Sequence, residues 1–239
     1  MSIIALQKIP LLLGVSILYY VAATPPNPPP SSKEISKFGP GDPLTPKVVS
    51  TPWAMGKNLL LFVFFCEILV IVATQFPNNI IAETALAILV RSSHAAPAIT
   101  PIFLAGFGFL LCGGCIRWFA YRALGRLFTF EVSIRDEHTL ITEGPYSFVR
   151  HPSYTGSFCT CVGVTLCLFG PGSWLFECGW LKLLTVQVFA VVITGLHASI
   201  VYIVFSRMSD EDRMMQKEFG LKWDEWAKAV PYKLVPGIF

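Results

Sequence analysis

The stretch LKLLTVQVFAVVITGLHASIVYIVF, Leu181–Phe205, decides the fold class. It is apolar almost throughout, its single formal charge is Lys182, and it exceeds the ~20 residues that cross a bilayer's hydrocarbon core. Working outward, Ile3–Ala23, Leu59–Phe76, Ile102–Phe119 and Tyr154–Phe169 are further runs of the same character. One such run could be a buried core helix of a soluble domain. Five of them in 239 residues leave too little protein to bury them. The composition agrees, with 54% hydrophobic and only 14% charged residues, where a soluble domain carries about a quarter charged. The expectation is an all-α polytopic membrane bundle of five to seven spans, six favoured.

Net charge is +3 and dispersed, with no basic stretch interleaved with aromatics, which excludes a nucleic-acid partner. The seven cysteines fall mostly in apolar runs. Cys112-Gly113-Gly114-Cys115 has the spacing of half a zinc or redox site, but it has no second pair and no histidine beside it. No metal is expected. The thiols read as buried, small apolar side chains, and the glycine pair as a place for close helix packing.

Punctuation divides the chain into 1–23, 24–56, 57–123 and 124–239. The first part fits a transmembrane helix or a cleaved signal peptide, and the multi-spanning remainder favours the helix. Residues 24–56 include Pro25-Pro26-Asn27-Pro28-Pro29-Pro30, which forbids regular helix and indicates an extended linker outside the membrane. Ile80–Val90 carries Glu83 and is followed by Arg91 and His94, so it reads as a short span or an interfacial helix. Arg117, Arg122, Arg126, Arg135 and Arg150 make 117–153 the most basic loop, expected to face the cytoplasm. The polar tail after Arg207 should share that side, with the last two spans as a hairpin between.

Two polar segments bracket that hairpin. The first runs from Glu137 to Tyr154 and the second from Arg207 to Arg213, followed by Phe219-Gly220 and Val230-Pro231-Tyr232-Lys233-Leu234-Val235-Pro236. Gly144-Pro145 is a turn signal, and Pro152 suits the first position of a helix. Arg150 and His151 then lie at a helix mouth, where backbone donors favour anions. A hairpin brings this basic patch near Asp210-Glu211-Asp212, and opposed charge clusters suit a zwitterionic or mixed-charge ligand.

These segments resemble the isoprenylcysteine carboxyl methyltransferase family and the related phospholipid methyltransferases. The resemblance rests on His138-Thr139-Leu140-Ile141, Gly144-x-Tyr146, Arg150-His151-Pro152-Ser153-Tyr154-x-Gly156, Arg207-x-x-x-Glu211-Asp212, Phe219-Gly220 and Val230-Pro231. It implies methyl transfer from S-adenosyl-L-methionine to the C-terminal α-carboxylate of a prenylated cysteine, without the Gly-rich fold of soluble methyltransferases. The implied substrates are prenylated, CaaX-processed proteins or small prenylcysteines. By the same resemblance the catalytic region 124–239 faces the cytosol from the endoplasmic reticulum membrane. His138, Thr139, Leu140, Ile141 and Tyr146 would line the adenosine side of the cofactor. His151, Pro152, Ser153 and Tyr154 would wrap it, and Glu211 would meet its polar end. Arg207 would face the substrate and act with Glu211 in catalysis. Ser133 would be a further cofactor position, although the spacing upstream of His138 is shorter than the family's. Asp212 stands where the family usually has a second glutamate, which leaves its role open.

The chemistry suits these residue types. A C-terminal carboxylate is ionised near neutral pH, so methyl transfer to it needs aim and desolvation rather than a strong base. Arginine grips a carboxylate at two points. Two rival readings share part of the pattern. A phosphatidylethanolamine N-methyltransferase would use the same cofactor site, and a membrane sterol reductase using NADPH resembles the Trp223-x-x-Trp226 tail.

Overall fold

The computed structural model describes residues 5–31, 34, 51–92, 97–130 and 139–238; Ser133, Arg135 and His138, and most of the Pro-rich linker, lie outside the described residues. The described chain is helical, with no strand among the described residues. Its helices are α1 (Lys8–Ala23), α2 (Thr51–Ala73), α3 (Ile80–Leu89), α4 (Pro101–Leu124), α5 (Pro152–Phe169), α6 (Trp174–Glu177), α7 (Leu184–Phe219) and α8 (Leu221–Ala229).

Four segments among the described residues are long and apolar enough to cross a membrane: Met55–Ala73, Pro101–Leu127, Pro152–Glu177 and Leu184–Phe219. Against the expected five to seven spans, α1 and α3 are apolar but stop at 16 and 10 residues. At 1.5 Å per residue α3 rises only about 15 Å, half of a hydrocarbon core. It is a short helix started by Asn79, whose Oδ1 accepts from Ile81 N and Ala82 N. The fold is a polytopic helical bundle. Its outward side chains are apolar, including Phe62, Phe65, Val191, Leu196 and Tyr202, a surface that lipid covers and water would not tolerate.

The chain divides into two compact units. Unit 1 comprises Met1–Tyr20, Met55–Cys112 and Cys159–Ala198. Its core holds Leu12, Val15, Phe64, Val70, Phe103, Leu110 and Val164. A Cβ on Gly163 would lie 2.6 Å from Leu110 N and 2.7 Å from Gly106 O, so α4 and α5 meet here backbone to backbone, as small residues allow. α5 and α7 meet through Thr165 Oγ1 and His197 Nδ1 at 2.9 Å, and through the Phe169 and Phe189 rings.

An ion pair is sealed inside unit 1. Lys8 Nζ lies 2.5 Å from Glu67 Oε1, with side chains 0% and 2% exposed. The ammonium aims its hydrogen bond at Gly172 O, 2.9 Å away, and lies over the Phe103 ring. The other carboxylate oxygen accepts from Trp174 N at 3.1 Å. Buried charges in apolar protein persist only when paired and hydrogen-bonded in this way.

Unit 2 comprises Val21–Ala54, Gly113–Phe158 and Ser199–Phe239. Three features differ from the sequence expectation. Cys112 and Cys115 are exposed while the other five thiols are buried, because the glycines between them take the packed face of α4 and turn the thiols outward. Arg117 belongs to no solvated basic loop: it is 7% exposed and points inward. The Arg207–Arg213 segment lies within α7, a single helix of 36 residues, so one rod carries both the apolar run and the polar residues.

Candidate active site

The 139–154 segment forms one wall of a cleft in unit 2. Gly144 takes a positive φ of 61°, a conformation cheap only for glycine. Pro145 then opens a 3₁₀ turn, Gly144–Ser147, that buries Tyr146. Burial pushes the Tyr146 phenol up, and the negative charge of Glu211 acts in the same direction, so the ring stays neutral. Pro152 starts α5, where a missing N–H costs nothing.

Arg117 fixes the start of α5. Its Nε donates to Ala22 O and to Tyr121 Oη, both at 2.7 Å. Its Nη1 donates to Ser153 O at 3.2 Å and to the hydroxyls of Ser153 and Ser157. Gly156 leaves room for that arrangement, since a Cβ there would meet Arg117 Cγ at 2.6 Å and Gly113 O at 3.0 Å. Asn27 ties the start of the Pro-rich stretch to the same region through Gly125 O and Phe128 O.

The opposite wall is α7 and α8. Arg207 and Glu211 are four residues apart, hence on one helix face. Tyr154 Oη donates to Glu211 Oε2 at 2.5 Å, and His151 Nδ1 lies 3.8 Å from the same oxygen. The His151 and Tyr154 rings stack with centroids 5.3 Å apart. Arg207 Nη2 donates to Phe130 O at 3.1 Å, and the guanidinium lies 5.9 Å from the Tyr154 ring centroid.

Asp212, whose role sequence left open, is the clamp. It is 8% exposed and faces His151 Nε2 at 3.0 Å, Arg150 Nη1 at 3.2 Å and Lys233 Nζ at 3.4 Å. An ionised carboxylate only accepts, so His151 carries its proton on Nε2. The tail completes the clamp through backbone bonds: Arg150 N to Tyr232 O at 2.9 Å and His151 N to Lys233 O at 2.8 Å. Thr155 Oγ1 adds a bond to Leu234 O at 2.7 Å.

The cleft thus brings Thr139, Leu140, Ile141, Tyr146, His151, Ser153, Tyr154, Arg207 and Glu211 to one surface. Pro152 is not on that surface and serves as the first residue of α5. Ser133 and His138 lie outside the described residues. Sequence reading missed Met214, Met215, Trp223 and Trp226 as cleft residues, whereas Arg150, read as part of an anion-favouring helix mouth, does line the cleft. The signal for the last two was their spacing of three, one turn of a helix; Trp226 Nε1 donates to Tyr146 O at 3.2 Å.

Comparison with known proteins decides what this cleft is similar to. Residues 106–188 match the isoprenylcysteine carboxyl methyltransferase (ICMT) family. The match takes in the 139–154 wall and stops before Arg207 and Glu211. The chain is 31% identical over 128 residues to protein-S-isoprenylcysteine O-methyltransferase B of Arabidopsis thaliana, covering 53% of this chain and 55% of that protein. It is 30% identical over 135 residues to the Rattus norvegicus protein-S-isoprenylcysteine O-methyltransferase, covering 56% and 41%. The Schizosaccharomyces pombe protein of the same name is 29% identical over 127 residues, covering 52% and 45%. The chain spans about half the length of the relatives it matches. ICMT likeness therefore covers the 139–154 wall in full.

Proposed function

We propose that this chain is a protein-S-isoprenylcysteine carboxyl O-methyltransferase that uses S-adenosyl-L-methionine at the membrane surface. The observation that carries the reading is the convergence of Tyr154, His151 and Glu211 beside Arg207 in one cleft. The cleft's donor set fits the cofactor. Leu140, Ile141, Met215 and Trp226 offer an apolar wall for a flat base, and Glu211 offers a half-buried carboxylate for an ammonium or ribose. Thr139 and, by the ICMT resemblance, His138 and Ser133 would complete that side. Ser153 and Pro152 hold the start of α5 in place. When bound, S-adenosyl-L-methionine supplies an electrophilic methyl group on a sulfonium.

The rest falls to the protein. Tyr154 keeps one oxygen of Glu211 occupied and so fixes the direction of the other. His151 is held by Asp212 and braces Tyr154 by stacking. Arg207, anchored on Phe130 O, grips the substrate carboxylate at two points and aims its oxygen. No general base is required, because that carboxylate is already ionised. A prenyl chain reaches the site from the bilayer, and loss of the carboxylate charge strengthens membrane attachment.

The substrates on this reading are prenylated, CaaX-processed proteins or small prenylcysteines. Region 124–239 is the catalytic part, facing the cytosol from the endoplasmic reticulum. The test is a tritiated-methyl assay with N-acetyl farnesylcysteine and phosphatidylethanolamine offered together. Label in the prenylcysteine ester is the expected result. Label in the phospholipid, or sterol-dependent NADPH oxidation in a parallel reaction, would replace the reading.

A further inference from the structure

The cleft wall carries two buried donors that meet no acceptor among the described residues, Trp223 Nε1 and Arg150 Nε. Both side chains line the cleft. Trp223 is 8% exposed, and the Arg150 guanidinium lies over its ring, 5.7 Å from the centroid. The other two nitrogens of Arg150 are engaged, Nη1 with Asp212 and Nη2 with Pro231 O at 3.3 Å. An indole N–H can only donate, and leaving a buried donor unmade is costly. Two such donors on neighbouring side chains that line one cleft mark a place where a ligand brings the acceptor.

Charge selects the acceptor. Asp212 is a single carboxylate facing two fixed cations, Arg150 and Lys233, as well as His151. Glu211, the other carboxylate of the cleft, faces the opposite ring nitrogen of His151, so beside Asp212 the two cations favour an anion. A carboxylate presents two oxygens in a plane, one for each donor. We propose that Arg150 Nε and Trp223 Nε1 bind the α-carboxylate at the amino-acid end of the methyl donor, while Glu211 takes its ammonium. This rests on the S-adenosylmethionine reading above. It adds a subsite, and it gives α8 a role in selecting a complete amino-acid end.

Isothermal titration calorimetry on the purified full chain tests it, with S-adenosylhomocysteine and its decarboxylated analogue as probes. Trp223→Phe keeps an aromatic ring, though a smaller one, and deletes the N–H. Its affinity for S-adenosylhomocysteine should fall about tenfold or more, the weight of a hydrogen bond to a charged group. Its affinity for the decarboxylated analogue should stay within about twofold, the remaining contacts being unchanged. Arg150→Lys keeps a charge for Asp212 but loses the Nε–H, and should show the same selective loss. Thermal unfolding of each variant at the wild-type temperature separates these losses from damage to the fold. Unchanged S-adenosylhomocysteine affinity in both variants, or equal weakening of both probes, overturns the subsite. Binding of neither probe by the wild-type chain instead overturns the methyl-donor reading on which it rests.

Discussion

Removing one partner of the buried Lys8–Glu67 pair should cost more than removing both. Lys8→Met leaves the Glu67 carboxylate sealed without its counter-charge and deprives Gly172 O of its donor. Breaking a buried pair from one side costs about 3–5 kcal/mol. In Lys8→Met/Glu67→Gln no unpaired charge remains, and the glutamine oxygen can still accept from Trp174 N. The bond to Gly172 O is lost and the glutamine N–H groups lack a strong acceptor, together about 1–2 kcal/mol. The double variant should therefore be more stable than Lys8→Met by roughly 2–3 kcal/mol. Thermal unfolding in detergent reads this directly. At about 2–4 °C per kcal/mol for a chain of this size, the single change should lower Tm by about 6–20 °C and the double by only a few degrees. A double variant whose loss equals the sum of the two single losses would refute the reasoning, because uncoupled side chains add.

Three further outcomes are expected. Arg207→Ala should abolish turnover of N-acetyl farnesylcysteine while calorimetric affinity for S-adenosylhomocysteine changes by less than about threefold, and Arg207→Lys should not restore turnover, since it lacks the planar fork. Equal loss of turnover and affinity would contradict that division. Glu211→Ala and His151→Ala should each weaken S-adenosylhomocysteine binding by about tenfold or more, measured by the same titration; unaltered binding in both would remove Glu211 from the ligand. Gly156→Val should destabilise by about 1–3 kcal/mol through overpacking, because its Cβ meets the Gly113 carbonyl as well as Arg117. A wild-type unfolding temperature would show that α4 and α5 have slack there.

Hydrophobic runs made the bundle legible, because length and apolarity are local properties of sequence. The 139–154 wall was legible through a short motif, and the hairpin brought Glu211 to Tyr154 and His151. What escaped was anything that depends on a side chain's direction. Arg117 read as part of a basic loop because charge near a span end favours solvent, yet Ala22 O, Tyr121, Ser153 and Ser157 hold it inside. Cys112 and Cys115 read as buried because they sit in an apolar run, where membrane protein and lipid are equally good neighbours. Glu67 reads as a single charge in an apolar stretch; its partner Lys8 lies far off in sequence, where no periodicity reports it. Asp212 differs from the usual glutamate by one methylene, and only the fold shows it facing three basic side chains.

The tail's grip on the cleft wall runs largely through main-chain oxygens of Tyr232, Lys233 and Leu234. Such atoms are indifferent to which side chain they accompany, so codons 232 and 234 are free to drift as far as those bonds are concerned, while Lys233 answers also to Asp212. A stop codon before 232 is another matter. It would release Arg150, His151 and Thr155 together and loosen the cleft wall without altering any of that wall's own residues. A substitution screen at the exposed Tyr232 would miss the bond its carbonyl makes, and a truncation series would reveal it.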